Sequence, residues 1–61
     1  MDDKWNVYAW HKNGPAIRVC EEVSIYEASF AVDAYRNKGL DWDAYMVQTW
    51  DDPGWSSNNK Q

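Results

Sequence analysis

The chain has 61 residues, a formal net charge of −4, and an aromatic content of 16% that includes five tryptophans and four tyrosines. A chain of this length forms at most one domain, with a small core and marginal stability. One cysteine and one histidine exclude an internal disulfide and a structural zinc site. The acidic balance argues against an electrostatic nucleic-acid binder, which normally carries a basic patch.

Signals for membrane insertion and secretion are missing as well. No apolar run approaches the ~20 residues that a membrane-spanning helix needs. The N-terminal sequence "MDDK" lacks the basic and then apolar layout of a signal peptide. Together with the free cysteine, these features predict a cytoplasmic protein.

The first predicted strand covers residues 4 to 11, at the start of the stretch "WNVYAWHKNG". Alternate residues of a half-buried strand face the core and the solvent. Here both rows are apolar or aromatic. One row contains Trp5, Val7 and Ala9, and the other contains Tyr8 and Trp10 together with Asn6. One small core accepts only one of these rows, so the other needs a separate explanation.

The turn after this strand contains Asn13-Gly14, a strong hairpin signal because both residues accept a positive φ. Pro15 lacks the N–H that a two-residue turn over residues 12 to 15 would need. We therefore expect a slightly longer loop. The second predicted strand covers residues 16 to 23, "AIRVCEEV", which is rich in β-branched residues.

The register of this hairpin decides which rows share a face of the sheet. A tight turn would place Trp10 opposite Ile17 and Tyr8 opposite Val19. We favour the register shifted by one residue, because its loop suits Pro15 and it keeps three polar side chains out of the core, namely Asn6, Arg18 and Glu22. The row expected under the helix is then Val7, Ala9, Ile17 and Val19, and the uncovered row is Tyr8, Trp10, Arg18 and Cys20.

A helix is predicted from about residue 25 to residue 38. Ser24 and Glu27 form a capping box at its start, and cationic side chains near its end suit the helix dipole. Gly39 fits the left-handed C′ position, and Leu40 could make the hydrophobic contact that accompanies it. The apolar face contains Ala28, Ala31, Val32 and Tyr35, with Ile25 one turn earlier.

The third predicted strand covers residues 43 to 50, "DAYMVQTW", and turn-forming residues follow it in "DDPG". One of its rows contains Tyr45 and Val47, and the other contains Ala44, Met46 and Trp50. We expect Tyr45 and Val47 to face the helix.

The element order ββαβ predicts an α+β fold, in which a three-stranded antiparallel sheet of order 2-1-3 carries one helix on one face. Residues 1 to 55 are expected to form one domain, and the polar segment 56 to 61 a disordered C-terminal tail. The second face of the sheet has no obvious cover. The alternative is that Trp55 and the tail fold over it.

Isolated reactive side chains have simple structural explanations. His11 could serve as a general base and Cys20 as a nucleophile, but no local spacing supports either role. The acidic pairs lack the spacing of an EF-hand loop and fit solvated strand ends and turns: Asp2-Asp3, Glu21-Glu22, Asp41 with Asp43, and Asp51-Asp52. We therefore expect a non-enzymatic protein that holds no metal and no cofactor.

The strongest functional signal is the uncovered aromatic row. Tyr8, Trp10 and Arg18, with Trp50 as a further candidate, would combine aromatic rings with a cation able to stack on them. This composition predicts a protein interface, either with a foreign target or with an identical chain. One alternative is a small nucleic-acid binder, because some open sheets bind single-stranded RNA through similar residues. The other is an acidic mimic of nucleic acid, in which the carboxylates of the chain would take the place of DNA phosphates in a basic groove.

The size and element order of the chain resemble those of small phage-encoded inhibitors of host proteins. This group includes the phage inhibitor of bacterial RNA polymerase and phage anti-defence proteins. The resemblance covers residues 5 to 50, in the string "WNVYAWHKNG…AIRVCEEVSIYEASFAVDAYRNKG…DAYMVQTW", and consists of two strands, a helix rich in Glu and Ala, and a final strand. It includes no specific motif, and no binding residue is carried over. The resemblance implies a small protein that acts inside the host cell by binding a larger one.

Overall fold

The computed structural model describes residues 4–54 of the chain. It contains three strands, β1 (Trp5–His11), β2 (Ile17–Val23) and β3 (Trp42–Gln48), and one helix, α1 (Ile25–Arg36). A short 3-10 helix, Thr49–Asp51, follows β3. The predicted tail at 56 to 61 and the predicted folding back of Trp55 lie outside the described residues.

The sheet is antiparallel with strand order β2-β1-β3, and α1 packs on one of its faces. The predicted α+β fold is therefore confirmed, including the central position of β1. The order arises because the hairpin places β2 on one side of β1, and the connection through α1 returns the chain to the other side.

The hairpin turn confirms the longer loop but not the expected conformation of its residues. Gly14 N–H donates to the carbonyl of His11 at 2.8 Å, and the positive φ belongs to Lys12, at 52°. A side chain at Gly14 would be crowded, because its Cβ would lie 3.0 Å from the His11 carbonyl oxygen.

The hairpin register matches the favoured one near the turn and changes further along β2. Tyr8 lies opposite Arg18 and Ala9 opposite Ile17, but Val7 lies opposite Cys20, so that β2 contains one extra residue there. This bulge moves Cys20 to the helix side of the sheet, where it packs against the core. The prediction that Cys20 belongs to the uncovered row was wrong because it assumed unbroken alternation.

α1 begins as predicted and ends earlier. The Ser24 hydroxyl accepts the N–H of Glu27 at 3.2 Å, and Asn37 is the C-cap. Gly39 has a φ of 158°, far from the left-handed helical value expected at C′, and the Leu40 side chain is fully exposed. The predicted C′ glycine and its hydrophobic contact were therefore wrong.

The core is small and built largely from alanine. Its buried apolar residues are Val7, Ala9, Ala28, Val32 and Ala44. Small side chains therefore meet at the centre of the contact between α1 and the sheet. Larger residues pack around this centre, among them Trp5, Ala31, Tyr35, Trp42 and Met46.

The assignment of the two rows of β3 was also wrong. Ala44 is fully buried under α1, whereas Tyr45 is 44% exposed. The register explains this result, because Tyr45 lies directly opposite Tyr8 and Ala44 opposite Ala9, and residues directly opposite share a face. Once Tyr8 points away from the helix, Tyr45 and Val47 must do so too.

Candidate binding face

The face of the sheet turned away from α1, called here the open face, carries a row of aromatic rings. Tyr8 and Tyr45 stack across β1 and β3, with ring centroids 5.4 Å apart and ring planes 15° apart. The Trp10 ring lies 5.9 Å from the Tyr45 ring and is tilted by 60°. These separations are typical of favourable aromatic pairs, so the three rings form one continuous surface.

Arg18 extends this surface onto β2. Its guanidinium carbon lies 5.9 Å from the centre of the Tyr8 ring, and its Nη1 donates to the Tyr8 hydroxyl at 3.1 Å. Arg18 is exposed, and Tyr8 and Trp10 are half-buried. We call Tyr8, Trp10, Arg18 and Tyr45 the aromatic patch. It offers a partner both apolar ring faces and a positive charge.

The buried carboxylate of Asp52 binds the hydroxyl of Tyr8, at one end of the aromatic patch. Asp52 Oδ2 accepts hydrogen bonds from the Tyr8 hydroxyl at 2.6 Å and from Asn6 Nδ2 at 2.9 Å. Its Oδ1 accepts the N–H of Gly54 at 2.9 Å, as in an Asx turn. The segment after β3 therefore folds back and is fixed over the Asn6 end of the open face.

Asn6 stays out of the apolar core, as expected, but its side chain is fully buried. It lies on the open face, where Asp52 covers it. Its Oδ1 accepts the N–H of Glu22 at 2.9 Å, a residue with a φ of 53° in the irregular part of β2. Burial is tolerated because both ends of the amide have hydrogen-bond partners.

These contacts reinforce the usual charge states of Asp52 and Tyr8 at neutral pH. Burial by itself raises the pKa of Asp52, but the hydrogen bonds from Asn6, Tyr8 and the Gly54 amide outweigh it and hold this pKa below its usual 3.8. Burial and the hydrogen bond to Asp52 raise the pKa of Tyr8 above 10.0. At neutral pH, Asp52 is ionised and Tyr8 is a neutral donor.

The structure brings together three of the four predicted site residues. Tyr8, Trp10 and Arg18 share the open face, as expected. Trp50 does not belong to that row, because β3 ends at Gln48 and Trp50 lies in the 3-10 helix, 73% exposed. Its place is taken by Tyr45.

Sequence reasoning missed Tyr45 and Asp52 for different reasons. The register partner of Tyr8 on β3 could have revealed Tyr45, because antiparallel strands place their aromatic residues in pairs. Asp52 was assigned to a solvated turn. Its burial depends on Asn6 and Tyr8, which lie more than forty residues away in the chain.

The structure does not bring His11 and Cys20 together as a catalytic pair. Cys20 lies opposite Val7, and His11 lies four positions further along β1, a distance of roughly 13 Å along the strand. The His11 ring instead packs beside the Trp42 ring, with the two ring centroids 5.2 Å apart. Within residues 4–54, no group of three or more His, Cys, Asp or Glu side chains is placed to hold a metal ion.

No helix in the described part of the chain is long and apolar enough to cross a membrane. Comparisons with protein-family models, with curated proteins and with solved structures found no match to this chain.

Proposed function

We propose that this protein is a non-enzymatic binding module that recognises another protein through the aromatic patch. The observation that supports the proposal is the continuous row of Trp10, Tyr45 and Tyr8 rings, with Arg18 at its end, on a sheet face that α1 does not cover. Trp, Tyr and Arg are the residue types that most often dominate binding energy at protein interfaces.

The patch is also held in one arrangement before any partner binds. Tyr8 is fixed by Asp52 on one side and Arg18 on the other, and Tyr45 is stacked on Tyr8. Side chains that are already ordered lose less conformational freedom on binding, which improves affinity. Rigid aromatic anchors with a flanking cation suit a protein target that offers an apolar recess beside a carboxylate.

The class of partner that we propose is a larger host protein, bound so that its activity is inhibited. This is what the resemblance to small phage-encoded inhibitors implies. The patch has few charged side chains, so recognition is expected to depend mainly on ring packing. Binding should therefore tolerate moderate salt better than an interface between charged surfaces would.

Affinity capture from a host lysate tests the proposal. The wild-type bait should recover a partner that is lost with the Trp10→Ala and Tyr45→Ala baits, with an affinity loss of about tenfold or more for each anchor. Trp50→Ala is the matched control, because Trp50 is an exposed tryptophan outside the patch. Equal recovery of the partner by all four baits would remove the patch from the interface.

An identical chain is the second candidate partner for the same face. Two patches related by a two-fold axis would bury both aromatic rows. Sedimentation at high micromolar concentration distinguishes this case, since a dimer that Tyr45→Ala dissociates would identify a second copy as the occupant.

A single nucleic-acid strand is the alternative ligand that the exposed rings could stack on. The net charge of −4 opposes it. A labelled oligonucleotide should therefore not bind. Salt-dependent binding that requires Tyr45 would replace the protein-partner proposal with this one.

A further inference from the structure

A second apolar surface lies on the helix side of the sheet, in a groove between α1 and β2. The groove is lined by Cys20, Val23, Tyr26, Glu27, Phe30 and Ala31. We call it the helix groove. It is separate from the aromatic patch, which lies on the open face.

The helix groove is bordered by two aromatic side chains that the fold itself does not use. Tyr26 is 84% and Phe30 is 77% exposed, and neither belongs to the buried core. Residues four apart on a helix are neighbours, so the two rings lie one turn apart along the same edge of the groove. Adjacent large apolar side chains at this exposure are typical of a binding surface.

The charge at the groove is negative. Glu27 is the charged residue among those that line it. A second copy of the chain would bring the same carboxylate into a two-fold contact, at a net charge of −4 for each copy. Charge complementarity therefore favours a basic partner over self-association.

The geometry of β2 favours a helix over an added strand as the occupant. β2 has two register irregularities against β1, and Glu22 has a φ of 53°. A strand added to this edge would find the regular ladder interrupted. A helix needs no backbone ladder and inserts side chains spaced three and four residues apart.

We propose that the helix groove binds a basic amphipathic helix of a protein partner. Apolar residues of that helix pack between Tyr26 and Phe30 and onto Cys20 and Val23. A lysine or arginine residue beside them pairs with Glu27. This proposal is independent of the function proposed for the aromatic patch.

The experiment uses a synthetic peptide of leucine and lysine, about 18 residues long, with leucines at helical spacing over five turns. Two comparison peptides have the same leucines with glutamate in place of lysine, or the same composition in scrambled order. Each is titrated into the full-length protein and followed by amide chemical shifts. We expect only the amphipathic basic peptide to bind, shifting residues of the helix groove and not Trp10 or Tyr45.

Two variants test the location of the site. Phe30→Ser should weaken peptide binding by about tenfold or more, the loss typical of a removed aromatic anchor. Tyr45→Ser is the matched control and should leave peptide binding unchanged. Both positions are exposed, so the amide spectra of both variants should show an intact fold.

Five results would overturn the proposal, the first four of which concern the peptides and the variants. These four are the absence of peptide binding, equal binding of the scrambled or glutamate peptide, chemical-shift changes on the open face, and unchanged affinity in Phe30→Ser. Concentration-dependent shifts in the groove without peptide would also overturn it, because they would identify a second copy of the chain as the occupant.

Discussion

The carboxylate of Asp52 accepts hydrogen bonds from Asn6, Tyr8 and the Gly54 amide while only 7% exposed. It connects the segment after β3 to the central strand. Since Asn6 also accepts the Glu22 N–H, one continuous network links β2, β1 and the turn that contains Asp52 and Gly54. Polar networks of this kind stabilise a fold when every member is paired and destabilise it when one member is removed.

Replacing Asp52 with alanine should therefore cost about 1–3 kcal/mol of unfolding free energy, because buried Asn6 loses an acceptor, as does the Tyr8 hydroxyl. Urea denaturation followed by tryptophan fluorescence measures the loss. The control is Asp51→Ala, which removes an exposed neighbouring carboxylate and should change stability by less than about 0.5 kcal/mol. Equal stability of the two variants would contradict the role of the network.

The lowered pKa of Asp52 makes its contribution depend on pH. The folded-state pKa lies below the usual 3.8, so the stabilisation is fully present above that value and is lost as the pH falls through the folded-state pKa. The stability difference between wild type and Asp52→Asn should shrink below pH 3.8. Urea titrations at pH 6 and in strong acid measure it, and a difference that is constant with pH would exclude Asp52 as its source.

At the scale of elements, β3 is an edge strand. At the centre of its free edge, the backbone N–H and C=O groups already have side-chain partners. The Thr49 N–H donates to the Lys4 carbonyl, and the Lys12 N–H donates to the Asp41 carbonyl. The odd-numbered residues between 41 and 49 are therefore the ones whose backbone groups face β1. In an antiparallel pair the backbone N–H and C=O groups of the intervening residues, including Ala44, point away from the partner strand. Asp43 Oδ1 accepts the Ala44 N–H at 2.8 Å, and Arg36 Nε donates to the Ala44 carbonyl at 3.1 Å.

Arg36 and Asp43 also pair with each other at 3.1 Å. Both side chains are about half exposed, so the pair contributes little to stability. What the two side chains do is occupy the backbone N–H and carbonyl of Ala44, which a second strand would need for pairing. Natural sheets often protect an edge strand with charged side chains in this way.

The variant Arg36→Ala with Asp43→Ala should associate with itself more strongly than the wild type, through pairing of β3 edges. Analytical ultracentrifugation at high micromolar concentration measures this as an increase in average mass. Lys12→Ala with Asp41→Ala is the matched control, since it removes another exposed ion pair and leaves the net charge equally unchanged. If the two double variants sediment alike, the edge of β3 is not what Arg36 and Asp43 protect.

At the scale of the whole molecule, a small core coexists with two exposed apolar surfaces on opposite sides of the sheet. The aromatic patch and the helix groove both present rings to solvent. Self-association through such surfaces is opposed at neutral pH by the net charge of −4. The same charge would oppose binding to an acidic partner.

Association should therefore increase as the pH approaches the isoelectric point of about 4.6, where mutual repulsion is smallest. Light scattering at pH 7 and pH 4.6 in low salt measures the change. Lys4→Glu lowers the net charge by two further units and should move the maximum of scattering to a lower pH. Scattering that is unaffected by pH would show that charge does not keep the chains apart.

Much of the architecture could be predicted from local patterns. Ser24 and Glu27 marked the start of the helix, and Pro15 excluded the tightest hairpin turn. The alternation of Val7 and Ala9 with Tyr8 and Trp10 was enough to propose an uncovered aromatic row. These features depend on interactions between residues that are close in sequence, so local sequence patterns are enough to predict them.

The sequence by itself thus determined the element order, the strand order of the sheet and three members of the aromatic patch. Tertiary structure alone decided the side of the sheet on which Cys20 lies, the inclusion of Tyr45 in the patch and the burial of Asp52. The bulge that moved Cys20 to the helix side depends on how β2 pairs with β1, and Tyr45 joined the patch through its register with Tyr8. Asp52 became buried because distant Asn6 and Tyr8 supply donors to it. Each of these outcomes depends on contacts between strands that local patterns do not specify, since a one-residue change of register transfers every side chain of a strand to the other face.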